Sequence, residues 1–368
     1  MNNHLTYTMK SETGIALFLV LWVLTLLSVI AGEFCFAMRT EVNMTRNFKE
    51  QTETYYIALA GLNRAIGEMI RNELMPPDKT TTETPGKEEA PEVEEKSDRW
   101  RINAEIPAIS YGEGEYKVRI GNESGKININ DANEGMLKMM LRGFELDEQE
   151  KSVIVDSILD WRDKDDLHRL NGAEDDYYRS LPTPYECKDG DFDSVEELLM
   201  VRGITPEIFY GGLRDMVTVF KPSKKGSRVK RQGLRMVKSD SSKININAAS
   251  RQLLLALPSM TEDLVQAIID YRKESDFTSL TQVSALLGTD VYTPISPYIT
   301  LETMPYFTIS AVGSLTDHRT RQGVEALVEI NKAWKGGYRI VQWRDSFQVE
   351  ETESPGSESE KDTEKNDD

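Results

Sequence analysis

Residues 15–31, Ile15-Ala-Leu-Phe-Leu-Val-Leu-Trp-Val-Leu-Thr-Leu-Leu-Ser-Val-Ile-Ala31, form an uncharged apolar run behind a short polar leader, and no proline follows until Pro76. At a rise of ~1.5 Å per residue such a run crosses most of a ~30 Å bilayer core. Phe34, Phe36, Ala37 and Met38 extend it by a turn or two. Beyond Arg39, apolar residues recur as Tyr55, Leu59, Leu62, Ile66, Met69 and Ile70, the three-to-four spacing of one helix face. The two stretches read as a single helix of roughly 60 residues, about 90 Å long. Pro76-Pro77 ends it, because proline lacks the N–H and its ring clashes with the preceding turn.

Three readings of the amino terminus compete. A secretory signal peptide needs a basic start and a small-residue cleavage site, but the leader offers Lys10 and His4 against Glu12 and the helical text runs on past Ala31. A plain membrane anchor is the second reading. The third is a prepilin-type leader cut between Gly14 and Ile15, which turns the apolar run into the new amino terminus.

The Gly14-Ile-Ala-Leu junction, with no acid in the first turn after it, resembles that of the type II secretion minor pseudopilin family called general secretion pathway protein K. Most pilin-like proteins carry glutamate at the fifth mature position, where this chain has Leu19. A carboxylate in a bilayer costs about 2.5–3.5 kcal/mol on insertion scales and is tolerable when it pairs with the terminal amine of the subunit ahead. A subunit with none ahead needs no such acid. The resemblance therefore implies a precursor cut by prepilin peptidase, methylated on the new amine of Ile15, held by one span in the inner membrane with its soluble part in the periplasm. It also implies I-type and J-type minor pseudopilins as partners, a place at the pseudopilus tip where assembly starts, and contact with secreted cargo.

The octet Lys126-Ile-Asn-Ile-Asn-Asp-Ala-Asn133 returns as Lys243-Ile-Asn-Ile-Asn-Ala-Ala-Ser250, and helical text follows each copy. Asp147 with Glu150, and Ser259 with Glu262, read as capping boxes that open the second helix of each copy. The unit resembles the helix-hairpin-helix module, many examples of which bind DNA by turning backbone N–H groups onto a phosphate. Ser259 and Thr261 stand where the DNA-binding form has glycine, and Glu262 and Asp263 crowd the first turn, so an anion is repelled there. The formal charge of −18 also argues against nucleic acid. The basic stretch 221–238, with Lys224, Lys225, Arg228, Lys230, Arg231 and Arg235, keeps alive the rival reading of a membrane-anchored DNA-binding protein of the uptake type. It lacks interleaved aromatics, and its Gly, Ser and Pro content reads instead as a solvated linker between the repeats.

Asp160-Trp-Arg-Asp-Lys-Asp-Asp166 is followed by Asn171-Gly-Ala-Glu-Asp-Asp-Tyr-Tyr178. Closely spaced flexible carboxylates supply the oxygens that a hard cation takes, although a solvated acidic loop has the same composition and no EF-hand spacing is present. The protein K family carries a similar Asp-Trp to Tyr-Tyr block and binds calcium in that domain. The resemblance thus implies a Ca2+ site with Asp163, Asp165, Glu174 and Asp175 as ligands, and Asp160 and Asp176 as weaker candidates. Asp189, Asp191 and Asp193 suggest a second site or an ordinary turn. Arg162 replaces the apolar residue common in that family. The stretch 192–206, with a glycine stop at Gly203 and an N-cap at Thr205-Pro206, also resembles it and reads as packing.

Two cysteines far apart in sequence, Cys35 and Cys187, argue against an intramolecular disulfide. His4, His168 and His318 are too few for a histidine centre, and no nucleophile-base set or phosphate loop stands out, so no enzymatic activity is expected. Short β-rich runs at 116–120, 307–312, 323–328 and 338–343, with a turn at Trp334-Lys-Gly-Gly-Tyr338, complete the pattern. The expected fold is α+β: a long amino-terminal helix packed on an antiparallel, pilin-like sheet, with a large all-α insertion. The boundaries are leader 1–14, helix 15–75, loop 76–98, sheet 99–125 with 303–346, insertion 126–302 with repeats 126–220 and 243–302, and an acidic tail 347–368. The loop and tail bury too little to offset chain entropy.

Overall fold

The computed structural model describes residues 13–74, 99–221, 243–316 and 320–345. Most of the leader, the 76–98 loop, all but the first residue of the basic 221–238 stretch, and the acidic tail lie outside the described residues.

Helix α1 runs unbroken over Thr13–Leu74, 62 residues. It is the one helix among the described residues long and apolar enough to cross a membrane. Its two halves have opposite surroundings. Side chains 15–49 are exposed throughout, so the apolar run projects clear of the rest of the molecule. From Thr54 onward the helix is the spine of a core, with Ile57, Ala58, Leu62, Ala65, Ile66 and Met69 buried.

That core is the inner face of a five-stranded antiparallel sheet of order β1-β2-β7-β8-β9. Its strands are β1 (Ile109–Tyr111), β2 (Gly114–Asn122), β7 (Tyr306–Leu315), β8 (Arg321–Ile330) and β9 (Tyr338–Asp345). Each strand run expected from sequence falls inside one of these; the three-residue edge strand β1 was not expected. Strand alternation sends Tyr116, Val118, Ile120, Phe307, Ile309 and Ala311 toward the helix. Burying each large apolar side chain stabilises by about 1.5–3 kcal/mol, which is what clamps the lower half of α1 to the sheet.

Between β2 and β7 the chain leaves the sheet and returns beside its point of departure, since Asn122 pairs with Phe307. Everything between is an insertion at what is otherwise a hairpin. Asn122 staples the neck: its side-chain amide donates to Met304 O at 2.8 Å and its oxygen accepts from Met304 N at 3.2 Å.

The insertion is built twice. In the first copy β3 (Ile127–Asn128) pairs in parallel with β4 (Val217–Thr218), and in the second β5 (Ile244–Asn245) pairs in parallel with β6 (Ile299–Thr300). Helices α2 (Glu134–Met140), α3 (Glu148–Arg162), α4 (Asp175–Arg179) and the one-turn α5 (Pro206–Ile208) and α6 (Arg214–Met216) fill the first copy. Helices α7 (Arg251–Ala256), α8 (Glu262–Glu274), α9 (Leu280–Leu287) and α10 (Thr289–Ile295) fill the second. The repeated asparagines are what close each copy. Asn128 and Asn245 donate to Phe220 O at 2.9 Å and Glu302 O at 3.1 Å, and Asn130 and Asn247 donate to Phe192 O and Phe277 O, both at 3.0 Å. Phe192 N and Phe277 N return the bond at 2.8 and 2.9 Å. The guanidinium of Arg162 donates to the carbonyls of Ile129 and Ala132, and that of Arg272 to those of Ile246 and Ala249. Sequence reading found the octets and missed these arginine and phenylalanine partners.

The capping box at Asp147 and Glu150 forms as expected. In the second copy the cap is Thr261, whose side chain accepts from Leu264 N, and not Ser259. Ser259 has φ of 60°, turning the chain two residues before the cap Thr261, which removes it from the cap position.

Candidate metal centre

Helix α3 ends where Arg162 turns back to the octet, and this places Asp160 on its last turn and Asp163 at its C-cap. The following loop passes outward and returns at Gly172, beside the Asp160 carboxylate. A Cβ on Gly172 would lie 1.8 Å from Asp160 Oδ2, so only glycine lets the chain pass there. Glu174 comes next, at the N-cap of α4, and a further loop brings in Cys187 and Asp189, the latter with φ of 52°. Beneath lies an aromatic floor in which Trp161 meets Tyr178 edge-on at 5.1 Å and stacks on Phe192 at 6.3 Å.

The result is a set of inward-turned carboxylates with few donors. Glu174 is 3% exposed and neither of its oxygens receives a hydrogen bond; Asp163 Oδ1 and Asp189 Oδ1 are buried in the same condition. Ligand atoms of Glu174, Cys187 and Asp189 lie within 4.8 Å of one another. Burial above all, with the charges of Asp160, Asp163 and Asp189, pushes Glu174 up to about 7, against a lowering contribution from the Cys187 thiol. Burial likewise raises Asp163 and Asp160, and it pushes the Cys187 thiol up. Buried carboxylates that meet no donor are unfavourable unless a cation joins them. The donor set, oxygen-rich and flexible, fits a hard divalent ion such as calcium, which would supply only charge and cross-linking between the α3 end and the two loops.

The expected ligands divide. Glu174 joins Cys187 and Asp189, and Asp163 stands near enough for its charge to act on Glu174 without being one of that group. Asp165 lies outside, exposed, accepting from Leu167 N at 3.1 Å. Asp175 is engaged elsewhere, accepting from Cys187 N at 2.8 Å and pairing with Arg179 at 2.7 Å. Asp176 accepts from its neighbour Tyr177 N. The proposed second set disperses: Asp189 joins the first centre, Asp191 pairs with Lys221 and Asp193 with Lys188. Asp160, ranked below them, is the carboxylate with no exposed surface. The processing positions stand apart, Gly14 and Ile15 in the first turn of α1 and Leu19 one turn later on its exposed surface.

The hairpin proposed for phosphate contact carries Glu262 and Asp263 in the first turn of α8, and Arg251 is taken up by Glu262 at 3.0 Å. Nothing there offers an anion a free donor cluster, and the DNA-binding reading gains no support.

Residues 119–222, which contain the whole centre, match the family model described as type II secretion system protein K. The type II secretion system protein K of Pectobacterium carotovorum subsp. carotovorum is 30% identical over 113 residues, 26% of this chain and 34% of that protein. Its namesake from Aeromonas hydrophila is 23% identical over 220 residues, 54% of this chain and 61% of that protein. The matches thus span between a third and three-fifths of these relatives. Among solved structures, a chain of the GspK-GspI-GspJ complex from the type 2 secretion system of enterotoxigenic Escherichia coli has the same fold, with TM-score 0.52 and 13% identity over 83% of this chain and 100% of that one. The long helix on an antiparallel sheet with an inserted domain is thus a fold shared with a chain of a type II secretion complex. Over residues 119–222 the chain is similar to protein K of the type II secretion system.

Proposed function

We propose that the chain is a minor pseudopilin that works by shape and packing at the tip of the pseudopilus. It is made as a precursor, cut by prepilin peptidase between Gly14 and Ile15, and methylated on the new amine. Its anchor lies in the inner membrane and its head in the periplasm. The observation that carries this reading is the division of α1 into a bare apolar half and a half sunk in the sheet. A helix made this way needs lipid or other helices around its first half, because side chains such as Phe18, 70% exposed, and Ile15, 65% exposed, have no cover of their own.

Leu19 supports the tip position, since a leading subunit has no neighbour's amine to neutralise. The doubled insertion supports it too: a head widened at one end of its sheet is hard to stack within a thin fibre. The solved relative is in a complex of GspK with GspI and GspJ, and we assign I-type and J-type minor pseudopilins as partners here, with the complex starting fibre assembly and meeting exported cargo. Calcium, bound by Asp163, Glu174 and Asp189 with Asp160 beside them, holds the first copy of the insertion together.

Mass analysis of the amino terminus of protein taken from native membranes tests the reading. The expected species begins at a methylated Ile15; a chain that still begins at Met1 overturns it.

A further inference from the structure

Among the described residues, a single cation forms ion pairs with the four inward carboxylates. Arg169 places Nε 3.3 Å from Asp160 Oδ1 and Nη2 3.6 Å from Asp163 Oδ2, while its own backbone N–H donates to Asp160 Oδ2 at 3.0 Å. Glu174 and Asp189 have no ion pair among the described residues, and buried oxygens of both, with Asp163 Oδ1, meet no donor. Asp160 Oδ1, 3.3 Å from the guanidinium, also lacks a hydrogen bond, so Arg169 serves Asp160 and Asp163 by charge and leaves Glu174 and Asp189 without an ion pair. Arg169 also carries an outer loop: its neighbours Leu167 and Leu170 are 78% and 93% exposed, so no apolar packing holds this segment down. What holds it is the Arg169 ion pairs together with hydrogen bonds at its end, where Asn171 donates to Asp156 Oδ2 at 3.1 Å.

We infer that Arg169 is a built-in counter-ion of the acidic centre, which a divalent cation entering the centre must outcompete for Asp160 and Asp163. The inference rests on reading the cluster as a cation site. A fixed positive charge within roughly 8 Å of a dication, at an effective dielectric of about 20–40, opposes binding by about thirty-fold to a thousand-fold unscreened, and screening over a Debye length of ~8 Å reduces this to on the order of ten-fold. Arg169 thus sets the affinity low and ties the loop of Leu167 and Leu170 to the state of the centre. The alternative is that Arg169 merely positions the two carboxylates. That role has the opposite sign, since removing it then weakens binding.

The test is calorimetric titration of the full chain in detergent with calcium chloride, comparing wild type with Arg169→Gln and Arg169→Lys. Expected is binding roughly ten-fold tighter in Arg169→Gln and within about three-fold of wild type in Arg169→Lys. Unchanged or weaker binding in Arg169→Gln, with wild type still binding, overturns the counter-ion role and leaves the cation site standing. Absence of binding to both proteins up to millimolar calcium overturns the cation site and the counter-ion together. Should Arg169→Gln not fold, amide exchange across residues 167–170 of the wild type decides: faster exchange on adding calcium supports the inference, and unchanged or slower exchange overturns it.

Discussion

The two copies of the insertion share one frame and differ in one loop. Between Arg272 and Phe277 the second copy crosses in residues 273–276; between Arg162 and Phe192 the first takes residues 163–191. The same helix position shows the effect. Asp270 is 54% exposed and bonds with Lys273 at 3.0 Å, whereas Asp160 has no exposed side-chain surface. The longer crossing covers Asp160 and adds Glu174, Cys187 and Asp189 around it. The acidic centre is thus a property of the loop, and the asparagine, arginine and phenylalanine frame is a separate property that both copies keep.

If the frame is what folds each copy, its arginines carry the largest effects. Arg272→Ala removes the donors to two buried carbonyls, and Arg272 itself is 4% exposed. A loss of about 3–5 kcal/mol is expected in thermal or denaturant unfolding, with a smaller loss for Arg162→Ala, whose side chain is less deeply buried. Equal and negligible losses would break the comparison.

The loop is addressed next. Calcium at about 100 times its dissociation constant stabilises by roughly 2.7 kcal/mol, and Glu174→Gln is expected to abolish that gain while Asp270→Asn in the second copy leaves it intact. Melting curves with calcium and with chelator measure both. Gly172→Ala, which drives a methyl into the Asp160 carboxylate, is expected to cost about 1–3 kcal/mol and to weaken calcium binding in the same experiment.

The smallest effect compares two glycines at matched positions after Phe192 and Phe277. Gly203 and Gly288 both have positive φ, 88° and 79°, but a Cβ on Gly203 meets Ile154 Cγ1 at 2.9 Å and one on Gly288 meets nothing within 4 Å. Gly288→Ala is expected to cost about 1 kcal/mol from backbone strain alone, and Gly203→Ala more. The reverse order would show that the copies do not share this corner.

The parts of the molecule differ in how readable they were. Helix α1 was legible because hydropathy, spacing and the prolines at its end all agree along one uninterrupted stretch. The sheet was legible because alternation in β2, β7 and β8 is imposed by a single buried face. The repeat was legible only in its octets: Arg162 matches Arg272 and Phe192 matches Phe277, but the inserted loop shifts the second pair out of register. Asp165 and Asp175 stand outside the buried group because these neighbours of Asp163 and Glu174 in sequence turn to other donors, Leu167 N and Cys187 N. Asp189 was assigned to a separate site because nothing in its spacing shows that the chain folds back onto Glu174.

The account rests on a leading position for a subunit whose first exposed turn has no acid and whose head is widened by the doubled insertion. Gold labelling of the head on pseudopili assembled in cells with their minor subunits tests it most directly. The account expects label at one end of each fibre, together with I-type and J-type partners; label spaced along the shaft would contradict it.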